Sequence, residues 1–412
     1  MSTDQVRRRY LLLTASRWLP TGFLIPLITI APQQRGLSLA QIGTLVAISA
    51  GVVLVLELPT GSLSDVLGRR PVLLTAIGFS VLSTSGLALA TTFAAYAVAA
   101  ALEGIYRALD SGPLDAWHVD AAQAADPDAD IETGLARQGT VLGVAIAVGA
   151  LAAGGLALLP TPGALPALAL PILVALGLRA VNGVLVWVLL REDHPPRGPV
   201  RAVMADSGRT VREAVALLRV STALLALAGS EVLWGAGMVT VEVFVAPRLV
   251  DQLGDPGQGV LVFAAAAAVS WTVSGAGAAA APWIARRSGS WVTAAVLTRT
   301  VQAVAVLGPG LIAGPAALLA GYFGFYLVHG AANVAHAGLL HRNVSAAHRA
   351  TTLSINSLAG RLGAVIAGPL LGLLADNAGL PTVFIAGAVL LAAGAPLYLL
   401  ARAPRAYVTD GQ

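Results

Sequence analysis

The stretch Gly61-Ser62-Leu63-Ser64-Asp65-Val66-Leu67-Gly68-Arg69-Arg70 separates two long apolar runs, one ending near Thr60 and the next starting at Pro71. It is short and polar, and it carries one acid and two arginines between two glycines. Between runs long enough to cross a bilayer, such a segment predicts a tight connection between two membrane helices, on the positively charged side.

The composition agrees. Of 412 residues 57% are apolar and 11% are charged, against roughly a quarter charged in soluble chains. The N-terminus, Met1–Tyr10, is polar with an arginine cluster and runs into a segment long enough to span, so no cleavable signal peptide is expected. The chain has no cysteine, which excludes a disulfide framework and a thiolate metal site. Every basic side chain is arginine. The pI of 9.8 could suggest nucleic acid, but the arginines gather at the ends of apolar runs, so no nucleic-acid partner is expected.

About twenty apolar residues cross the hydrocarbon core. Twelve runs qualify, near 10–31, 40–60, 71–91, 94–116, 136–159 and 167–190, then near 221–246, 258–283, 291–312, 315–339, 353–374 and 381–401. Arg7, Arg8 and Arg9 precede the first run; Arg69 and Arg70 lie in the second connection; Arg191, Arg197, Arg201, Arg209, Arg212 and Arg219 lie in the sixth. Arg286 and Arg287 follow in the eighth, Arg342 and Arg349 in the tenth, and Arg402 and Arg405 in the tail. The odd-numbered connections hold only Arg35 and Arg248. This asymmetry places both termini in the cytoplasm. The stretch 191–220 is the one break in composition: a Pro-rich start reads as a linker, and 205–219 as an amphipathic surface helix. The expected domains are therefore a six-helix half over 1–190, a cytoplasmic linker over 191–220, and a second six-helix half over 221–412.

The halves echo each other. Gly149-Ala150-Leu151-Ala152-Ala153-Gly154 matches Gly363-Ala364-Val365-Ile366-Ala367-Gly368, a spacing of small residues that equally serves close helix packing. The decisive stretch resembles the signature loop of the major facilitator superfamily, G-x-L-x-D-x-x-G-R-[RK], with Gly61, Leu63, Asp65, Gly68, Arg69 and Arg70 in place. The resemblance implies an all-α integral membrane fold: twelve transmembrane helices in two halves related by pseudo-two-fold symmetry, with substrate bound between them near the midplane. It also implies a cytoplasmic gate in which Asp65 accepts from Arg69, and Arg69 or Arg70 reaches Asp115 or Asp120. The corresponding second-half segment, Trp283-Ile284-Ala285-Arg286-Arg287-Ser288-Gly289, keeps the basic pair and lacks the acid. The fifth run is glycine-rich, as in the drug–proton antiporters that the chain resembles, but lacks their Gly-Pro pair; Gly368-Pro369 supplies one in the eleventh.

A charge near mid-bilayer is costly unless paired or hydrated, so ionisable residues inside the runs are functional candidates. Glu103, Arg107 and Asp110 fall at i, i+4 and i+7 and are expected to share one face, either as a structural ion triad or as a proton-exchanging one. Glu231 has no basic residue within two turns and is the first candidate for a proton or cation site. His329, Asn333 and His336 form another i, i+4, i+7 set, read as cavity lining or helix-to-helix hydrogen bonding; without a nearby acid or thiol no metal is expected. Arg17, Arg179, Arg299 and Arg361 each need a partner that sequence cannot name, with Arg299 or Arg361 against Glu231 one option.

The expected function is secondary active transport, most simply proton-coupled export of a small amphipathic or drug-like molecule by a monomer in a bacterial inner membrane. It would be driven by the proton gradient with no cofactor. The alternatives are a proton-coupled importer of a small nutrient and a transporter-like sensor. An enzyme is not expected: HExxH, GxxxxGK[ST] and GxSxG are all missing, and with the P-loop goes direct ATP drive.

Overall fold

The computed structural model describes residues 1–61, 63–160, 163, 165–166, 168–192, 216, 218–219, 221–344 and 349–401. The side chains of residues 58, 59, 65, 349 and 350 are outside this description. So is nearly all of the surface helix expected over 205–219.

The helices gather into two compact units. One holds Met1–Ser207 with Ala246–Val269, the other Gly208–Val245 with Ser270–Gln412. The first contains α1 (Thr3–Leu24), α2 (Ile30–Gln34), α3 (Leu39–Gly61), α4 (Leu63–Leu67), α5 (Arg69–Leu89), α6 (Phe93–Leu109), α7 (Pro113–Ala125), α8 (Ile131–Ala157) and α9 (Ala169–Leu189). Then come α10 (Thr222–Leu253) and α11 (Pro256–Arg287), parts of which fall in each unit. The second unit continues with α12 (Trp291–Leu311), α13 (Pro315–Arg342), α14 (Arg349–Ala378), α15 (Leu380–Gly394) and a 3-10 turn at Pro396–Leu400.

Among the described residues, ten helices are long and apolar enough to cross a membrane. The expected first and fourth spans are the two outside this set. The run 10–31 is divided: α1 starts early enough to take in Arg7, Arg8 and Arg9, ends at Leu24, and the chain turns before α2. The run 94–116 breaks at Asp110–Gly112, because Gly112 is left-handed (φ +97°) and Pro113 starts α7 afresh. That leaves α6 with 17 residues.

Local chemistry sets the ends. Ser2 and Gln5 form a capping box on α1, while Thr92, Asp130 and Ser290 accept the Ala95, Thr133 and Thr293 N–H at the starts of α6, α8 and α12. Gly68 sits at φ +90° before α5, a conformation that costs little only without a Cβ.

The repeated glycines are packing contacts. Where α8 crosses α1, a Cβ on Gly149 would meet the Leu19 carbonyl and one on Gly22 the Ile146 carbonyl. Where α14 crosses α10, Gly363 lies against the Val232 carbonyl and Gly235 against the Gly360 carbonyl. Both echoing segments thus bring two backbones together, which in lipid replaces a missing hydrophobic drive by dispersion contacts. Gly235→Ala is expected to destabilise by about 1–3 kcal/mol through overpacking. Gly78→Ala in α5, where no neighbour stands within 4 Å of the added methyl, should be neutral or slightly stabilising. Thermal unfolding in detergent, followed for both variants, checks the contrast.

Candidate functional site

The signature loop runs from the end of α3 through α4 into the start of α5. Arg69 Nη1 lies 2.5 Å from Asp120 Oδ2 of α7, the acid named as one of two options; the other, Asp115, is used elsewhere. Asp115 Oδ1 accepts from Tyr10 Oη at 2.7 Å and from Gln138 Nε2 at 3.3 Å, tying α1, α7 and α8 together. Here Asp115 is held by Tyr10 and Gln138, and the arginine pairing expected of it is made by Asp120. The Gly61 and Asp65 expectations lie outside the described side-chain environment. Unforeseen was Glu192, just past α9, whose carboxylate accepts the backbone N–H of Arg69 at 2.7 Å and of Arg70 at 3.0 Å. An acid there satisfies two orphan donors and faces the positive end of the α5 dipole. The sequence signal available was an acid two residues after an apolar run and shortly before a proline pair.

Inside the first unit the expected triad is resolved differently. Arg17 Nε reaches Asp110 Oδ2 at 2.5 Å and its Nη2 donates to the Asp110 carbonyl at 3.0 Å. Arg179 Nη2 lies 3.4 Å from Glu103 Oε2 and its guanidinium stands 4.8 Å over the Tyr106 ring. Arg107 is exposed and neutralises neither acid. The correction has a geometric cause. Asp110 is the C-cap of α6 and leaves the helical stripe, while α1 and α9 each present an arginine to the acids. Both ion pairs are largely buried, so removing one partner would leave a charge uncompensated.

The second unit holds a denser arrangement, drawn from four helices and the terminal turn. Glu231 of α10, which has no basic residue within two turns in sequence, has its Oε2 3.5 Å from His336 Nε2 of α13. His336 Nε2 also faces Asn356 Oδ1 of α14 at 2.7 Å, and its Nδ1 faces Tyr398 Oη at 2.9 Å. Arg299 of α12, 1% exposed, donates to Tyr398 Oη at 3.0 Å and to Gln302 Oε1 at 2.7 Å. Gln302 Nε2 is 3.5 Å from His329 Nδ1, and Asn333 Nδ2 is 2.9 Å from His329 Nε2. The His329 ring stacks between Trp234, at 5.5 Å, and Phe325, at 5.8 Å. Asn333 and His329 therefore bond to each other along one helix, while His336 serves the acid on another. Arg361 lies half-buried on α14, next to Gly360, which approaches Glu231 and Trp234.

The chemistry of this chain follows from donor counting. Arg299 only donates, so Tyr398 accepts from it and turns its own O–H to His336 Nδ1. His336 then carries its hydrogen on Nε2, aimed at Asn356 and Glu231. A second proton on His336 would sit on Nδ1, and Tyr398 would have to redirect its hydroxyl. One proton thus reorganises the chain from Arg299 to Glu231. Tyr398, Gln302 and Asn356 carried no separate signal in the sequence, since lone polar residues in apolar runs name no partner.

On α7, His118 is fully buried, stacks on Tyr10 at 4.1 Å, and neither ring nitrogen has a hydrogen-bond partner. Burial lowers its pKa below the usual 6.5, with Arg7 adding to the depression and Asp115 opposing it. The unfolded chain then binds the proton more tightly than the folded one, so this contribution to stability is complete above pH 6.5 and is lost as pH falls below it. His118→Phe is expected to flatten the decline in melting temperature between about pH 7 and 5; an unchanged decline would place the acid sensitivity elsewhere.

The comparisons with known proteins fit this architecture. A family model described as Major Facilitator Superfamily matches residues 10–334. No curated protein is matched. Among solved structures, the nucleoside transporter NupG superposes with a TM-score of 0.74 at 14% identity, over 96% of this chain and 98% of that one. A bacterial homologue of the human lysosomal transporter Spinster gives 0.71 at 16% identity, over 97% and 96%. The human organic anion transporter MFSD10 gives 0.60 at 18% identity, over 98% and 100%. At these identities the likeness concerns the fold, and it is the family match across most of the chain, with the loop 61–70 inside it, that carries the assignment: this multi-pass membrane protein belongs to the major facilitator superfamily and is a transporter, not an enzyme.

Proposed function

We propose that the chain is a proton-coupled secondary transporter working by alternating access, and that it exports a small amphipathic or drug-like molecule. The observation that carries the coupling is the Glu231–His336–Tyr398–Arg299 chain, in which one proton changes who donates to whom. Glu231 and His336 are the proposed proton carriers. Asp110 with Arg17, and Glu103 with Arg179, are the proposed partners in the first half. Arg107, His329, Asn333 and Arg361 are the proposed substrate contacts. The Ala- and Val-rich helices and 5% aromatic content favour a greasy substrate.

The proposed frame is twelve spans with both termini in the cytoplasm of a bacterium, as a monomer in the inner membrane. Its halves are 1–190 and 221–412, joined by the linker 191–220. Gly61, Asp65, Gly68, Arg69 and Arg70 form the proposed cytoplasmic gate, with Asp120 and Glu192 in the place first expected of Asp115. Charge-assisted links of this kind hold one side closed until a competing partner arrives.

A second reading, import of a polar nutrient by proton symport, is favoured by one observation. Gln302, His329, Asn333, His336, Asn356 and Tyr398 make the second unit more polar inside than its composition suggests. NupG, a nucleoside transporter in the same superfamily fold, is in keeping with it.

Transport by proteoliposomes with an imposed pH gradient decides between them, using lipophilic cations, neutral drugs and nucleosides as the panel. Gradient-driven movement out of the cytoplasmic side is expected, reduced about tenfold or more in Glu231→Gln and His336→Asn, a loss equivalent to at least about 1.4 kcal/mol. Gradient-driven uptake of a nucleoside would establish the importer. Full coupling in both variants would reduce the chain to a structural network.

A further inference from the structure

We propose that the end of α9, where Arg70 stacks on Trp187, Arg9 reaches the Leu189 carbonyl and Arg191 follows in the chain, is a binding site for the phosphate headgroup of an acidic phospholipid. The proposal concerns the membrane surface of the protein and stands apart from what is transported.

Val181, Val184, Trp187 and Val188 are exposed and share one face of α9. On a membrane helix such a stripe faces acyl chains, and a tryptophan at its end marks the headgroup level. Trp187 is 61% exposed. The Arg70 guanidinium lies 4.2 Å over its ring and Nη2 donates to the Trp187 carbonyl at 2.6 Å. Arg9 Nη1 donates to the Leu189 carbonyl at 3.0 Å. Arg191 follows two residues later and is exposed. Three cations from separate parts of the chain thus converge where one apolar, lipid-facing stripe ends.

Capping the last carbonyls of α9 accounts for one or two of them. It does not account for three, nor for a guanidinium laid flat on an exposed indole. Among the described residues, Glu192 is committed to the backbone N–H groups of Arg69 and Arg70, and Asp120 to the Arg69 side chain, so the described cations outnumber the described acids there. Arginine suits a phosphate diester because its fork donates two parallel hydrogen bonds while its face remains stacked. The arrangement recurs elsewhere: Arg287 stands 5.8 Å over Trp283, which is itself exposed, and Arg342 stands 5.6 Å over Trp291. All three pairs lie at helix ends rich in arginine. The acyl-facing stripe leading into the first pair favours a lipid over free phosphate.

The test is native mass spectrometry of the full chain released from detergent loaded with equal phosphatidylglycerol and phosphatidylcholine. Wild type is expected to retain phosphatidylglycerol preferentially. Arg70→Gln and Trp187→Leu should each lower its occupancy, by about fivefold for a lost arginine, while Val184→Leu leaves it unchanged. If Arg70→Gln does not fold, Arg9→Gln carries the same expectation. Excess inorganic phosphate should fail to displace the lipid; displacement would make the site a soluble-phosphate site and overturn the lipid assignment. Equal retention of both lipids by wild type, or undiminished phosphatidylglycerol in the Arg70 and Trp187 variants, would overturn the proposal.

Discussion

A charge carried into hydrocarbon must meet an opposite charge, a hydrogen-bonding partner or water, and the interior of this protein is arranged around that requirement. Arg17 meets Asp110, Arg179 meets Glu103, and Arg299 meets Tyr398 and Gln302, each partner except Gln302 coming from a different element. These links cross between helices that would otherwise touch only through small apolar side chains. They fix which face of α6 turns to α1 and α9, and tie α12 to the terminal turn. Losing one partner would strand the other, so the pairs constrain the fold whether or not they also move protons.

The second constraint is close approach. Gly149 and Gly22 bring α8 onto α1, and Gly235 and Gly363 bring α10 onto α14. Helices that close leave their polar side chains within hydrogen-bond reach. Glu231 lies on α10 one turn from Gly235, whose crossing with Gly360 of α14 stands beside the contacts of His336 of α13 with Glu231 and with Asn356 of α14. Packing and polar chemistry are therefore the same feature seen at two scales: the glycines set the distance, and the acids, amides and rings use it.

The arginine-rich helix ends supply the third. There arginines satisfy carbonyls of a helix C-terminus, stack on indoles and pair with surface acids. Arg69 and Arg70 belong both to the signature loop and to this layer. The loop is thereby anchored, through Glu192, to the segment just past α9.

Composition and periodicity alone determined that this is an all-helical membrane protein: apolar runs near twenty residues, with the arginines between them, admit no soluble fold. The loop 61–70 was legible as a family signature because its glycines and charges are local. Ten of the expected spans were legible for the same reason. The break at Asp110–Gly112 was missed because hydropathy averages over a single left-handed glycine. The site was legible only as an inventory. Glu103, Asp110, Glu231, His329 and His336 stand out as polar residues in apolar surroundings, but their partners lie 4 to 105 residues away. Helical spacing along one run of sequence grouped Arg107 with Glu103 and Asp110. The tertiary structure gave those acids to Arg179 and Arg17 instead, because pairing in a low-dielectric interior is decided by which helices pack together, and a sequence read one helix at a time does not contain that information.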